Sequence, residues 1–203
     1  MRKSAILMMI LVVCLFTNAC GETDDSLYGE IKGAVYENHV LGIGCALDGW
    51  RYCTREEITE NRQKSVNRLS KEYMQEMLST PNDLMRAESP SGETVSINAL
   101  HMGTDETVFY TELGMRLTFE ILLESMKEKL ENMGYTGVEL SVEEISLKNQ
   151  TLDCLILEIS MNGIHACSIQ AGFIRDNYMV RIGSGADDLE TAKEQLMNFY
   201  MLQ

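Results

Sequence analysis

The chain has 203 residues, with 17 Lys and Arg against 31 Asp and Glu and a formal charge of −14. Such a surface repels polyanions, which argues against nucleic-acid binding and against docking on anionic lipid headgroups by charge alone. A hydrophobic share of 45% with only 2 prolines gives enough apolar material for one full core and leaves no low-complexity run.

The N-terminus has three parts. Arg2 and Lys3 precede an uncharged apolar run of 12 residues, Ala5 to Phe16, and Thr17-Asn18-Ala19 comes next. That order predicts a secretory signal over residues 1–19, too short to span a bilayer, which takes about 20 helical residues. Ala19-Cys20-Gly21 resembles the end of a lipobox, in which the cysteine sulfur receives a diacylglycerol and cleavage leaves the cysteine first. Thr17 stands where that motif prefers Leu, and ordinary signal cleavage with Cys20 a bystander is the alternative. Lipidation at Cys20 is the expectation, because the acidic stretch over residues 20–32 reads as a tether. Gly21 to Ser26 in particular is polar and has nothing to pack. Each buried lipid CH₂ contributes about 0.8 kcal/mol, and two chains anchor stably where one does not. Cleavage would leave 184 residues (203 less 19), and without Arg2 and Lys3 the charge would be −16 (15 basic less 31 acidic).

From residue 33 to 203 the chain reads as a single domain. Gly33 to Tyr36 and Leu41 to Leu47 are expected as short strands, closed by Asp48-Gly49 before Trp50. Thr54 with Glu57 forms a capping box, because each side chain can satisfy an orphan backbone N–H. A helix is predicted from there to about Leu78, with Ile58, Val66, Leu69, Tyr73 and Met77 on one face and Pro81 as its stop. Leu84 to Ala87 and Thr94 to Met102 read as a hairpin around Ser89 to Gly92. A second helix is predicted from about Thr111 to Met133, buried through Leu113, Leu117, Ile121, Met126, Leu130 and Met133, with Gly134 as its left-handed cap.

Four more strands are expected: Val138 to Leu147, Leu152 to Met161, Ile164 to Ile174 and Tyr178 to Ile182. Their turns are Lys148-Asn149, Asn162-Gly163 and Asp176-Asn177, of which Asn-Gly is the strongest two-residue hairpin signal. A last helix is expected near Asp187, burying Leu189, Ala192, Leu196 and Phe199. Leu155, Leu157 and Ile159 point to one side of the meander, and Ile156, Ile169 and Phe173 to the other. An antiparallel sheet apolar on both faces needs a layer on each. The expected fold is therefore α+β, a three-layer α/β/α sandwich around a mostly antiparallel sheet.

Cys45, Cys53, Cys154 and Cys167 allow three disulfide connectivities in an exported chain. In the Asn162-Gly163 register Cys154 faces Ala171 and Cys167 faces Glu158. Their sulfurs then lie about 13 Å apart along the strands, beyond the reach of a disulfide. Buried free thiols are expected, with Cys45–Cys53 the pairing to weigh against them. No C-x₂-C pair or His pair suggests zinc.

The order of hairpin, helix, hairpin, helix, antiparallel meander and helix resembles the PsbP-like sandwich family. Tyr36-Glu37-Asn38, Leu41-Gly42-Ile43 and Leu47-Asp48-Gly49-Trp50 are similar to the family's opening, and Gly183-Ser184 before an acid-capped helix to its close. Asp48 stands where the family often has Pro. The likeness spans about residues 33–200 and is shared by lipoproteins of Gram-positive bacteria. It implies no common active site, and it implies a role as a binding or assembly factor.

Individual residues offer little chemistry. Trp50, the one Trp, reads as a core plug, with a ligand-stacking platform as the sharper alternative. Cys53 lies just ahead of the first helix, whose positive end would lower a thiol pKa. It is the one candidate nucleophile or redox thiol, weighed against packing beside Trp50 or pairing with Cys45. His39, His101 and His165 are dispersed, and His165 falls opposite Ser160 with no acid placed beside it. No G-x-S-x-G elbow accompanies any Ser. Glu56-Glu57 suit a helix's opening turn, and Glu143-Glu144 are read as lying at a strand bulge; neither has calcium-loop spacing. The 14 Met fit core filling better than a copper site. Gly183-Ser184-Gly185 reads as a turn.

The expectation is a non-catalytic binding or assembly module, with no metal and no cofactor. It is held at the extracytoplasmic face of the cell membrane through acylated Cys20, and its partner is another protein or a small ligand. The alternative is a thiol-dependent enzyme or redox protein using Cys53.

Overall fold

The computed structural model describes residues 27–66, 82–161 and 163–202. Its elements, in chain order, begin with strands β1 (Glu30–Lys32), β2 (Val35–Asn38), β3 (Ile43–Ala46) and β4 (Arg51–Tyr52), then helix α1 (Arg55–Val66). Strands β5 (Asn82–Glu88) and β6 (Thr94–His101) lead to helices α2 (Thr104–Leu113) and α3 (Met115–Asn132). Strands β7 (Thr136–Ser146), β8 (Thr151–Met161), β9 (Ile164–Arg175) and β10 (Tyr178–Ala186), helix α4 (Leu189–Leu196) and strand β11 (Phe199–Met201) complete the chain.

The strands form two sheets, β1-β2-β3-β11 and β4-β5-β6-β10-β9-β8-β7. Every pairing among the described residues is antiparallel. The fold is thus mixed α/β and mostly antiparallel.

The two apolar faces of β8 and β9 organise the packing. Leu155, Leu157 and Ile159 pack with Phe119, Met126 and Leu130 of α3. Cys154, Ile156, Cys167, Ile169 and Phe173 face a larger core that also holds Tyr36, Leu41 and Ile43 of the small-sheet segment and Ala192, Leu196 and Phe199 near the C-terminus. One sheet is the shared wall of both cores, and each Leu, Ile or Phe it buries contributes about 1.5–3 kcal/mol. Helix α3 covers one side. The other side is covered by α4 together with a second sheet, which the expected single sheet between helices does not include.

Local expectations meet the structure unevenly. The Thr54–Glu57 box is present: the Thr54 amide donates to Glu57 Oε2 (2.9 Å) and the Glu57 amide to Thr54 Oγ1 (3.2 Å). Ile58 is buried, while Leu69, Tyr73, Met77 and Pro81 lie outside the described residues. The hairpin register of β8 and β9 sets Cys154 against Ala171 and Cys167 against Glu158, as expected. Asn162 lies outside the described residues, and its neighbour Gly163 has φ 76°. Gly134 has the expected positive φ, 90°.

The second helix differs. It begins at Thr104, where the Gly103 amide donates to Glu106 Oε2 (2.8 Å), and it breaks at Gly114, whose φ of 79° and ψ of 157° lie outside the helical region. The break resets the helical phase of α3. Phe119 and Thr118 turn inward, whereas Leu117 and Ile121, expected in the core, are 44% and 62% exposed.

The C-terminus differs as well. Asp188, one residue later than expected, caps α4 by accepting from the Thr191 amide (2.8 Å). Phe199 is buried as expected but starts a strand, because the edge of β3 captures it: Phe199 pairs Cys45, Tyr200 pairs Gly44 and Met201 pairs Ile43. Gly44 has no side chain for a reason of packing, since a Cβ there would lie 2.7 Å from the Tyr200 ring. Asn149, in the β7–β8 turn, secures β11 further by donating to the Met201 carbonyl (2.8 Å) and accepting from its amide (2.9 Å). Gly183-Ser184-Gly185 is no turn; it continues β10, paired with Ser96, Val95 and Thr94.

Candidate functional site

Strand β4 places the candidate residues around the first helix. It pairs with β5 so that Arg51 lies opposite Glu88 and Tyr52 opposite Ala87. Alternation along an extended chain then sends Arg51 and Cys53 to one side and Tyr52 to the other. On the first side the Arg51 guanidinium donates to both oxygens of Glu57 (2.8 and 2.7 Å) and to Glu88 (3.0 Å), and stands 3.8 Å from Cys53 Sγ. Arg86, a buried side chain, reaches Glu88 at 3.5 Å. The Thr54 amide and then Arg51 hold the Glu57 carboxyl below its ordinary range. The Arg51 pairs are largely solvated, so they organise the entry to α1 more than they stabilise the fold.

Cys53 is buried, at 7% exposure. Burial raises its thiol pKa first and Glu88 adds to the rise, while Arg86 and Arg51 oppose it. The direction is opposite to that expected from the helix end alone, because desolvation penalises a thiolate more than a partial dipole favours it.

On the other side of β4, the Tyr52 hydroxyl donates to the Ala34 carbonyl (3.0 Å) and lies 3.8 Å from Cys45 Sγ. Cys45 sits on β3 of the small sheet, and burial pushes its thiol up to about 12. Cys45, Cys53, Cys154 and Cys167 are all free and buried. The Cys45–Cys53 bridge is not formed, since Cys53 shares the face of Arg51 while Cys45 meets Tyr52 on the opposite one. Trp50 is half-buried and packs against the larger core. Cys20 lies outside the described residues.

The hairpin brings three polar residues together. Ser160 pairs with His165 across the strands, as expected. Ser160 Oγ is 3.5 Å from His165 Nδ1, and Glu158 Oε2 is 3.4 Å from His165 Nε2. Glu158 is an acid that sequence reasoning did not place. The Ser–His distance is at the outer limit of a hydrogen bond, and the three occupy cross-strand positions on an open sheet face, not a strained turn that exposes a nucleophile. Glu143 and Glu144 are in regular register with Cys154 and Asp153, and the bulge is at Thr136–Glu139 instead. They face opposite sides: Glu143 meets Lys193 (3.3 Å) and Glu144 meets Arg116 (3.6 Å). Among the described residues no group of three or more His, Cys, Asp or Glu is placed to hold a metal ion.

An open groove of about 490 Å³ runs between α3 and β7, lined by Leu123, Glu124 and Lys127 of the helix and Val138, Glu139 and Leu140 of the strand. Sequence reasoning missed it. Both elements were legible, but no local signal says which strand ends a sheet.

In overall structure the chain is similar to the solution structure of a cyanobacterial PsbP (CyanoP) from Synechocystis sp. PCC 6803, at 12% identity and a TM-score of 0.49, over 91% of this chain and 98% of that one. No protein-family model and no curated protein matches the chain.

Proposed function

We propose that the protein is a lipoprotein of the Gram-positive bacterial type, anchored at the extracytoplasmic face of the membrane through Cys20, whose domain is a non-catalytic binding or assembly module. The observation that carries the location is Ala19-Cys20-Gly21 at the end of an uncharged apolar run, with an acidic tether after it. Its partner is another protein or a small ligand. We further read the fold as a PsbP-like α/β/α sandwich, one outer layer of which is widened by the four-stranded sheet. The order of helices, hairpin and meander supports that reading.

The anchor has a direct test. Intact mass of the protein purified from its native membrane is expected to match residues 20–203 plus a diacylglyceryl group. Cys20→Ala is expected to move the protein from the detergent-extracted to the soluble fraction. An unmodified chain beginning at Cys20, or unchanged partitioning of the variant, would overturn the assignment.

The thiol-dependent alternative draws support from the Arg51 guanidinium near Cys53. Burial of the same sulfur favours the binding module. At pH 7 a thiol reagent is expected to modify Cys53 no faster than the domain opens, at a rate that rises with denaturant. Rapid labelling in the folded protein would move the assignment to the enzyme.

A further inference from the structure

Strand β7 ends the seven-stranded sheet, so among the described residues no strand lies beside one side of its 11-residue backbone. On an edge strand the alternate N–H and C=O groups of that side form a ladder that a further strand can pair with. The groove lies where the α3 face of the sheet meets this edge. Val138 and Leu140 point to that face, and Glu139 lies between them in the chain and lines the groove as well.

A strand laid about 4.8 Å outside β7 would place every second side chain in the groove against Leu123, Val138 and Leu140. Its other side chains would lie on the face of Glu139 and Glu143, both exposed. Glu124 and Lys127, on the helix side, add one charge of each sign to the rim, so the acid that faces the edge is Glu139.

Charge decides between occupants. A second copy carries the same formal charge of −14 and is repelled as a whole, and pairing about Ser141 would in addition set Glu139 of each β7 against Glu143 of the other. The bulge at Thr136–Glu139 guards the start of the strand in the same sense. The stretch after the bulge, from Glu139 to Ser146, keeps a regular register with β8. The acids that repel a copy attract a cationic strand.

We propose that β7 takes up an extended segment of a partner protein as an eighth strand, with apolar residues alternating with Lys or Arg. The apolar set fills the groove beside α3, and the basic set meets Glu139 and competes with Lys193 for Glu143. The proposal names the partner chemistry of the binding module and rests on that reading.

The test uses the folded chain and a peptide of about eight residues alternating Val and Lys, long enough to match the regular part of β7. Titration by fluorescence anisotropy is expected to show binding that weakens with salt, and hydrogen exchange to show slowed amides within residues 139–146. A Val/Glu peptide is expected not to bind, nor a Val/Lys peptide with alternate amides N-methylated. Glu139→Lys, at an exposed position, is expected to lower affinity at least about fivefold while leaving the unfolding midpoint unchanged. Equal binding by the N-methylated peptide, protection elsewhere on the domain, or indifference to Glu139→Lys would overturn the proposal. So would a concentration-dependent dimer that protects the same amides without peptide. None of these failures bears on the binding-module reading itself, which stands or falls on Cys20 and on Cys53 labelling.

Discussion

Replacing Phe199 with Ala is expected to cost about 3–5 kcal/mol of folding stability, the range for truncating a fully buried aromatic. The side chain is wholly buried and belongs to the larger core with Ala192, Leu196 and Ile43. It is also the first residue of β11, so the cavity would open where the last strand docks on Cys45 and Gly44 of β3. Both the contacts within the core and the closure of the small sheet depend on it. Phe199→Leu, which keeps most of the volume, is expected to lose less than about 1.5 kcal/mol. Equilibrium unfolding in urea measures both. A loss under about 1 kcal/mol for the Ala variant would mean that the C-terminal segment is not part of the cooperative core.

The second large effect is alkaline. Burial raises the thiols of Cys45 and Cys167 from an ordinary 9.0 to about 12, and that of Cys154 to about 11. Their side chains are 0–1% exposed. The folded protein therefore keeps three protons that the unfolded chain releases near pH 9. The stabilisation is present in full below pH 9 and is lost as pH rises toward 11 or 12. Each thiol contributes about 1 kcal/mol of that loss between pH 9 and pH 10, so three remove about 3 kcal/mol over that interval. Tyrosines ionise from an ordinary 10.0 and extend the fall at higher pH. Urea midpoints at pH 8, 9 and 10 give the slope. In the triple variant Cys45→Ala, Cys154→Ala, Cys167→Ala the decline between pH 9 and pH 10 is expected to flatten, whatever that variant loses at pH 8. An unchanged decline would assign it to other groups.

Much of the local structure was legible residue by residue, for reasons of short range. The Thr54–Glu57 box is written in four residues. The Asn162-Gly163 pair in the sequence predicts the register that β8 and β9 adopt, and that register alone separates Cys154 from Cys167. The two-sided apolar pattern of those strands stated that the sheet must be covered twice. Gly134 marked a helix end because the left-handed region favours a residue without Cβ.

The site was less legible. Cys53 was placed correctly ahead of the first helix, but its pKa is set by burial beside Glu88, a residue 35 positions away (88 less 53). The acid beside His165 and the separation of Cys45 from Cys53 depended in the same way on neighbours that chain order does not supply.

By itself the sequence determined what nearest neighbours decide: the Thr54–Glu57 cap, the left-handed Gly134 and the antiparallel meander. Tertiary structure alone decided the rest. Phe199 became a strand because β3 offered an open edge. Leu117 and Ile121 turned outward because Gly114 broke the helix and α3 met the sheet in a new phase. β7 became an edge because no other strand among the described residues pairs beside it. Hydrogen-bond partners, desolvation and sheet order are set by residues far apart in the chain, and no local pattern encodes which of them will meet.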